Sequence, residues 1–333
     1  MAGRNKRSVT IDLQCDDGRR LAQRLAGTAD VVITNLARPV LLAGGLDGAT
    51  LLAGNPKLVV LEVSAFGRTS SRRDEDGAGV GAGTVAEAMS GVPQLTGPAG
   101  GPPVFNGFAQ AETMTALMGA FAIQAALYRR DRDPDFAGEC IDLALFEPLF
   151  RLVEWQVVVH DQTGTIFQRA GNQMALGSDG VVDTYRTDDG DWIVITSGTK
   201  GAVANLARLL GQPASPPPGV PLLKALLTDW VKGRGTSDCL RLLAEAGVSA
   251  SRSYSVADIV DDDVFVQRRS ITTVDDEQLG PVRMPSALPH LLNHPGRIWR
   301  TGPGVGADNE AVFRDELGLS DDELGRLARD GVI

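Results

Sequence analysis

Three cations in four residues, Arg4-Asn5-Lys6-Arg7, stand directly before the alternating segment Ser8-Val9-Thr10-Ile11-Asp12-Leu13. Such a block suits phosphate groups, and equally an exposed basic terminus. Glu112 follows Gly107-Phe108-Ala109-Gln110-Ala111 and precedes an apolar run rich in small residues. A carboxylate there gains from a helix N-terminus, as a nucleophile or simply as a helix-start acid. Asn35 and Ser64 close two short apolar runs, where they either turn the chain or face a ligand. Asp142 and Glu147 read as solvated or capping acids. The glycine run from Gly77 to Gly83 lacks the strand-turn-helix setting of a phosphate cradle and reads as a flexible loop or lid. No Walker loop, GxSxG, HExxH or dinucleotide fingerprint occurs.

The elements that would position these residues follow from periodicity. Ser8 to Leu13, Ala29 to Asn35 and Leu58 to Ser64 have strand character, with helices over Arg19 to Ala26 and Ala49 to Gly54 between them. Strand, helix, strand, helix, strand predicts an α/β doubly wound sheet with its ligand beyond the C-terminal strand ends. Residues 67–107, rich in Gly, Ser, Pro and charge, form a candidate active-site wall around a short helix from Gly83 to Met89. A long helix runs from Met114 to Arg130, a strand from Glu139 to Ala144 and a helical region from Pro148 to about His160. Near Ala170 the texture changes. Val181 to Arg186, an acidic turn and Trp192 to Thr196 form a hairpin, followed by helices over Lys200 to Leu210 and Pro221 to Ala246. A short helix from Ser255, a strand from Leu279 to Met284 and a capping box at Ser320 and Glu323 complete the chain.

With 333 residues, 43% hydrophobic and 22% charged, the chain can bury one large or two medium cores. Its formal charge of −10 opposes binding to a polyanion, so no nucleic-acid partner is expected. Three dispersed cysteines and three histidines predict a reducing, cytoplasmic setting and no metal site. No apolar run reaches the roughly 20 residues of a membrane span, and no apolar signal core follows the basic start.

The segments Arg4 to Leu13, Ala29 to Asn35, Ala86-Glu87-Ala88-Met89-Ser90-Gly91, Arg169-Ala170-Gly171-Asn172 and Leu317 to Ile333 together resemble the successive blocks of the family III CoA-transferases. That superfamily includes formyl-CoA and carnitine-CoA transferases and the 2-methylacyl-CoA racemases. The resemblance implies an interlocked dimer, homomeric or paired with a paralogue, each subunit having a Rossmann-like large domain built from both chain ends and a smaller α+β domain. The expected boundaries are 1–165 for the large CoA-binding domain, 166–285 for the small domain with linkers, and 286–333 for a segment returning to the large domain. It further implies acyl-CoA and a carboxylic acid as substrates, CoA entering as part of the substrate with no permanently bound cofactor. By the same resemblance Glu112 matches the nucleophile that forms anhydride and thioester intermediates, and Arg4, Lys6, Arg7 and Asn35 match CoA contacts.

The sequence departs from the family pattern at three points. The nucleophile is an Asp in relatives, and the extra methylene of Glu112 displaces the attacking oxygen by more than about 1 Å unless the pocket is shaped for it. Relatives carry an opening strand-helix-strand unit of roughly 30 residues ahead of the basic block, where this chain begins. A basic residue that follows the Asn strand in relatives falls at Ala43. A non-catalytic subunit of a hetero-oligomer would account for these departures. Racemisation needs two acid-base groups, and Gly83 occupies the region where racemases carry a His or Asp.

Overall fold

A computed structural model describes residues 3–70, 82–173, 177 and 180–333. In chain order its elements are α1 (Asp16–Gly27), β1 (Val31–Thr34), α2 (Arg38–Gly44), α3 (Gly48–Gly54), β2 (Val59–Ser64), α4 (Ala82–Met89), α5 (Val92–Leu95), α6 (Gln110–Arg130), β3 (Glu139–Ala144), α7 (Glu147–Leu152) and α8 (Trp155–Thr163). They continue with β4 (Val182–Arg186), β5 (Trp192–Thr196), α9 (Lys200–Leu209), α10 (Val220–Val231), α11 (Thr236–Glu245), β6 (Ser249–Arg252), α12 (Val256–Asp261), α13 (Asp263–Gln267), β7 (Ile271–Asp276), β8 (Gly280–Pro285), a π-helical segment Ala311–Glu316 and α14 (Asp321–Arg329). Two compact units result, one comprising Met1–Ala86, Phe108–Leu149 and Val260–Ile333, the other Glu87–Gly107 and Phe150–Ile259.

In the first unit β1, β2 and β3 form a parallel sheet in that order, with Val31 opposite Val59 and Val59 opposite Glu139. β2 is the middle strand, and its residues Val59 to Glu62 are all buried, which is why it reads as a continuous apolar run rather than an alternation. Helix α6 lays Ile123 and Ala126 against Val59, Leu61 and Leu143. Gly119 makes that approach close, since a Cβ built there would stand 2.7 Å from Leu61 Cδ2. Cys15 caps α1 by accepting from Gly18 N, and Leu21 joins Phe313, Leu324 and Leu327 in a separate apolar cluster. The predicted capping box is present at Ser320 and Glu323.

The predicted strand over Ser8 to Leu13 does not form. Its backbone is held instead by the C-terminal segment: Ser8 N donates to Asp308 Oδ2 at 2.7 Å, Thr10 N to Asn309 Oδ1 at 2.9 Å, and Asp12 N to the Val332 carbonyl at 2.8 Å. Side chains and a chain end thus supply the partners that a neighbouring strand would provide. Helix α6 starts at Gln110, earlier than the apolar run indicates, so Glu112 lies in its first turn. The glycine run lies outside the described residues except for Ala82 and Gly83, which open α4.

In the second unit β4, β5 and β6 form an antiparallel sheet, with Val182 opposite Thr196 and Ile195 opposite Ala250. Ile193 and Ile195 from the sheet, Leu206 from α9, Leu223 and Leu227 from α10 and Leu243 from α11 build its core. The helical stretch expected from Pro221 to Ala246 is two helices, broken at residues 232–235. No helix among the described residues is long and apolar enough to cross a membrane.

Asp189 links the hairpin turn of this unit to the start of α11. It accepts bonds from the Thr187 hydroxyl at 2.6 Å and from the Thr236 amide and hydroxyl, each at 2.8 Å. These bonds, the Thr187 hydroxyl first, lower its pKa from 3.8 to about 2. A depressed carboxylate contributes stability above its unfolded pKa, and that contribution is lost as pH falls from about 4 toward the folded value. Thermal midpoints followed from pH 5 to pH 2 should therefore fall less steeply in Asp189→Asn than in the wild type. Parallel acid limbs would contradict the assignment.

Candidate active site

Parallel strands leave a crevice beyond their C-terminal ends, and the first unit has a cavity there of about 1450 Å³. Ile33 and Asn35 reach it from the end of β1, Leu61 to Ser64 from β2, and Arg38 from the start of α2. Helix α6 contributes Glu112, Thr115, Ala116, Ala120 and Ile123, which follow helical spacing along one face. Gly83 and Thr84 enter from α4.

Glu112 sits in the first turn of a helix of 21 residues, where the helix dipole favours an acid. A Cβ built on Gly83 would stand 1.9 Å from Glu112 Oε1 and 2.7 Å from its Cδ. The carboxyl group therefore occupies the space that any side chain at position 83 would take, and the extra reach of Glu over Asp has room at this point. Asn35 is exposed at the cavity wall, as is Arg38 three residues further on.

Glu62 and Arg68 also line the cavity. Glu62 is 4% exposed; its Oε1 accepts from Gly48 N at 2.7 Å and its Oε2 lies 3.4 Å from Arg68 Nε. Arg68 also donates through Nη1 to Cys140 Sγ at 3.1 Å, and its backbone amide donates to both Asp142 oxygens at 2.9 and 3.1 Å. Burial, followed by the Glu62 carboxylate, pushes the Cys140 thiol above its usual pKa. Glu147 performs a capping role, its Oε2 accepting from Ala144 N at 2.8 Å.

The cavity brings Glu112 and Asn35 together, whereas Arg4, Lys6 and Arg7 are not among its lining residues. Arg4 donates to the Pro285 carbonyl at 2.7 Å, and Arg7 is paired with Glu316, a contact that raises the Arg7 pKa and lowers that of Glu316. The basic block thus joins the two chain ends. Sequence reasoning missed Arg38 and Arg68 as cavity cations. A usable signal for Arg38 was its place shortly after a strand end, immediately ahead of Pro39. Nothing local in the sequence marks Arg68. Among the described residues no group of three or more His, Cys, Asp or Glu is arranged to hold a metal ion.

A parallel sheet with a carboxylate, an asparagine and cations around its C-terminal crevice defines an α/β enzyme architecture, and comparison with known proteins identifies the class. The profile of CoA-transferase family III matches residues 1–309, and the chain belongs to this family. It is 33% identical over 341 residues to the succinyl-CoA–D-citramalate CoA-transferase of Chloroflexus aurantiacus, covering 99% of this chain and 83% of that protein. It is 29% identical over 344 residues to the succinyl-CoA–L-malate CoA-transferase alpha subunit of the same species, covering 99% of this chain and 78% of that protein. A CAIB/BAIF family protein from Brucella suis has a similar crystal structure, with a TM-score of 0.78 and 28% identity over 94% of this chain and 82% of that one.

Gly83→Ala should leave stability within about 1 kcal/mol, because Ala favours the helix and the flexible Glu112 side chain can swing aside. The displaced carboxyl group should nevertheless lower the CoA-transfer rate at least tenfold. In a double-mutant cycle with Glu112→Asp, the combined loss should be smaller than the product of the two single losses. Multiplicative losses would show that the two positions act independently.

Proposed function

We propose that this chain transfers CoA from an acyl-CoA to a carboxylic acid with Glu112 as nucleophile, and that succinyl-CoA is a donor it accepts. The observation that carries this reading is the Glu112 carboxyl group seated against Gly83 within the cavity at the parallel strand ends. The names of the relatives support succinyl-CoA. The cavity exceeds the roughly 300–1,000 Å³ of a drug-sized site, in keeping with a ligand as long as an acyl-CoA.

In the proposed reaction Glu112 attacks the thioester carbonyl, the C–S bond breaks, and CoA leaves as a thiolate with a mixed anhydride behind it. The thiolate then attacks the glutamyl carbonyl, forming a glutamyl–CoA thioester and expelling the donor acid as a carboxylate. The acceptor carboxylate attacks that thioester and releases CoA thiolate. Attack of the thiolate on the acceptor's acyl carbon yields the new acyl-CoA and frees Glu112. No oxidant, reductant or net proton is needed. Asn35 and Arg38 hold the CoA chain at the cavity wall, and the basic block Arg4, Lys6 and Arg7, which belongs to the same compact unit but lies outside the cavity lining, is assigned to its phosphates.

Incubation with succinyl-CoA followed by hydroxylamine or borohydride should modify Glu112 alone, as located by mass spectrometry. Glu112→Gln should abolish transfer while CoA binding, measured by calorimetry, stays within about twofold. Replacing Arg4 and Lys6 together by Ala should weaken CoA at least tenfold, each charge-assisted contact being worth about 1.5–3 kcal/mol. An unmodified Glu112 in a transferring enzyme would refute the reading.

A second reading is that the chain works as one subunit of a hetero-oligomer; it is favoured by the relative named as an alpha subunit. Either assembly fits the apolar surface left open, which includes Leu117 at 63%, Phe121 at 76% and Tyr128 at 63% exposure along one side of α6, and Leu292 and Trp299 in the extended C-terminal stretch. We therefore propose a dimer as the working form, in which these side chains are covered. Sedimentation at micromolar concentration should show a dimer, with a partner chain present if the assembly is heteromeric. A folded, active monomer would exclude it.

A further inference from the structure

Thr115 follows Glu112 by one turn on the face of α6 that lines the cavity. It is 3% exposed, and among the described residues its hydroxyl has no hydrogen-bond partner. A threonine in a helix ordinarily satisfies its hydroxyl on the carbonyl four residues back. Thr113 does so, donating to the Ala109 carbonyl at 2.7 Å. Thr115 does not, although a buried hydroxyl without a partner is unfavourable and native structures rarely keep one without a use. The side chains of the neighbouring cavity positions on this helix, Ala116, Ala120 and Ile123, are apolar and offer it no acceptor.

We infer that Thr115 donates its hydroxyl hydrogen bond to the acyl carbonyl oxygen of the substrate when that carbonyl is attacked by Glu112. This rests on the reading of Glu112 as nucleophile. The carbonyl gains negative charge as the Glu112 oxygen bonds to it and before the C–S bond breaks, so a donor already in place strengthens its bond at that moment. The helix fixes both side chains on one rigid element, which holds the donor one turn from the attacking carboxyl group. Before substrate enters, the hydroxyl is left with an unmade bond, and the acyl oxygen makes it.

Thr115→Val keeps the branched shape and removes the donor, whereas Thr115→Ser keeps the donor and removes a methyl group. With succinyl-CoA as donor, Thr115→Val should lower kcat for transfer at least tenfold and slow Glu112 adduct formation equally. Its affinity for CoA should stay within about twofold, and its melting temperature should be equal to the wild type or higher, since an unpartnered polar group has been removed from the interior. Thr115→Ser should retain kcat within about threefold. Wild-type kinetics in Thr115→Val would overturn the inference and leave Glu112 as nucleophile untouched. A lowered melting temperature with equal kinetic losses in both variants would overturn it in favour of a packing role. A wild-type enzyme that transfers CoA without any Glu112 adduct would overturn the nucleophile assignment, and the role of Thr115 with it.

Discussion

Glu62 stands in the middle strand of the parallel sheet with 4% of its surface exposed. Removing a carboxylate from water costs several kcal/mol unless hydrogen bonds and an opposite charge compensate. The compensating groups shape this part of the protein. The Gly48 amide at the start of α3 donates to Glu62, and a Cβ at Gly48 would stand only 2.4 Å from Cys140 Sγ, so α3 must begin with a glycine over the sheet. The loop after β2 must return Arg68 to the same carboxylate, and Asp142, paired with Glu62 in the strand register, holds that loop by the Arg68 amide. One wall of the cavity is thus fixed by the need to neutralise a carboxylate inside the sheet.

The opposite wall depends on the same strands. Gly119 lets α6 approach Leu61 and Leu143 closely, and that contact sets the rotation of the helix. With the rotation set, Glu112, Thr115, Ala116, Ala120 and Ile123 face the cavity, and Leu117, Phe121 and Tyr128 are left exposed. The helix therefore presents two chemically different sides. One carries a single acid and one free hydroxyl among small residues, and the other carries the large apolar groups that the proposed dimer covers.

Elements whose burial alone determines them were legible in the sequence. β3 was read to the residue, and β1, β2, α1 and α9 to within a few positions, because a strand or helix packed on a core carries its own periodicity. The segment Ser8 to Leu13 has a strand's alternation, yet its partners come from about 300 residues away, which no local pattern announces. β6, Ser-Ala-Ser-Arg, has too little apolar character to be recognised and exists because β5 pairs with it. Glu112 was singled out through family resemblance joined to its place at a helix start. Its fit against Gly83 was not legible, since it depends on how α4 and α6 meet. Thr115 was invisible for a further reason, because what distinguishes it is a bond it does not make.

The chemistry proposed for this cavity also requires that other nucleophiles stay inactive. Cys140 sits behind the cavity wall against Glu62 and Arg68, and a thiolate there would compete with CoA for an activated acyl group. Its thiol is pushed up first by burial and then by Glu62, with Arg68 opposing through its charge and its hydrogen bond. A thiol held in its protonated form is a poor nucleophile. Burial first, and the carboxylate that organises the sheet second, thus favour the protonated form of this cysteine. In the proposed reaction the exposed carboxyl group on α6 and the sulfur that arrives with CoA are the reacting pair, and a protonated Cys140 would not trap the acyl group on the protein's own sulfur.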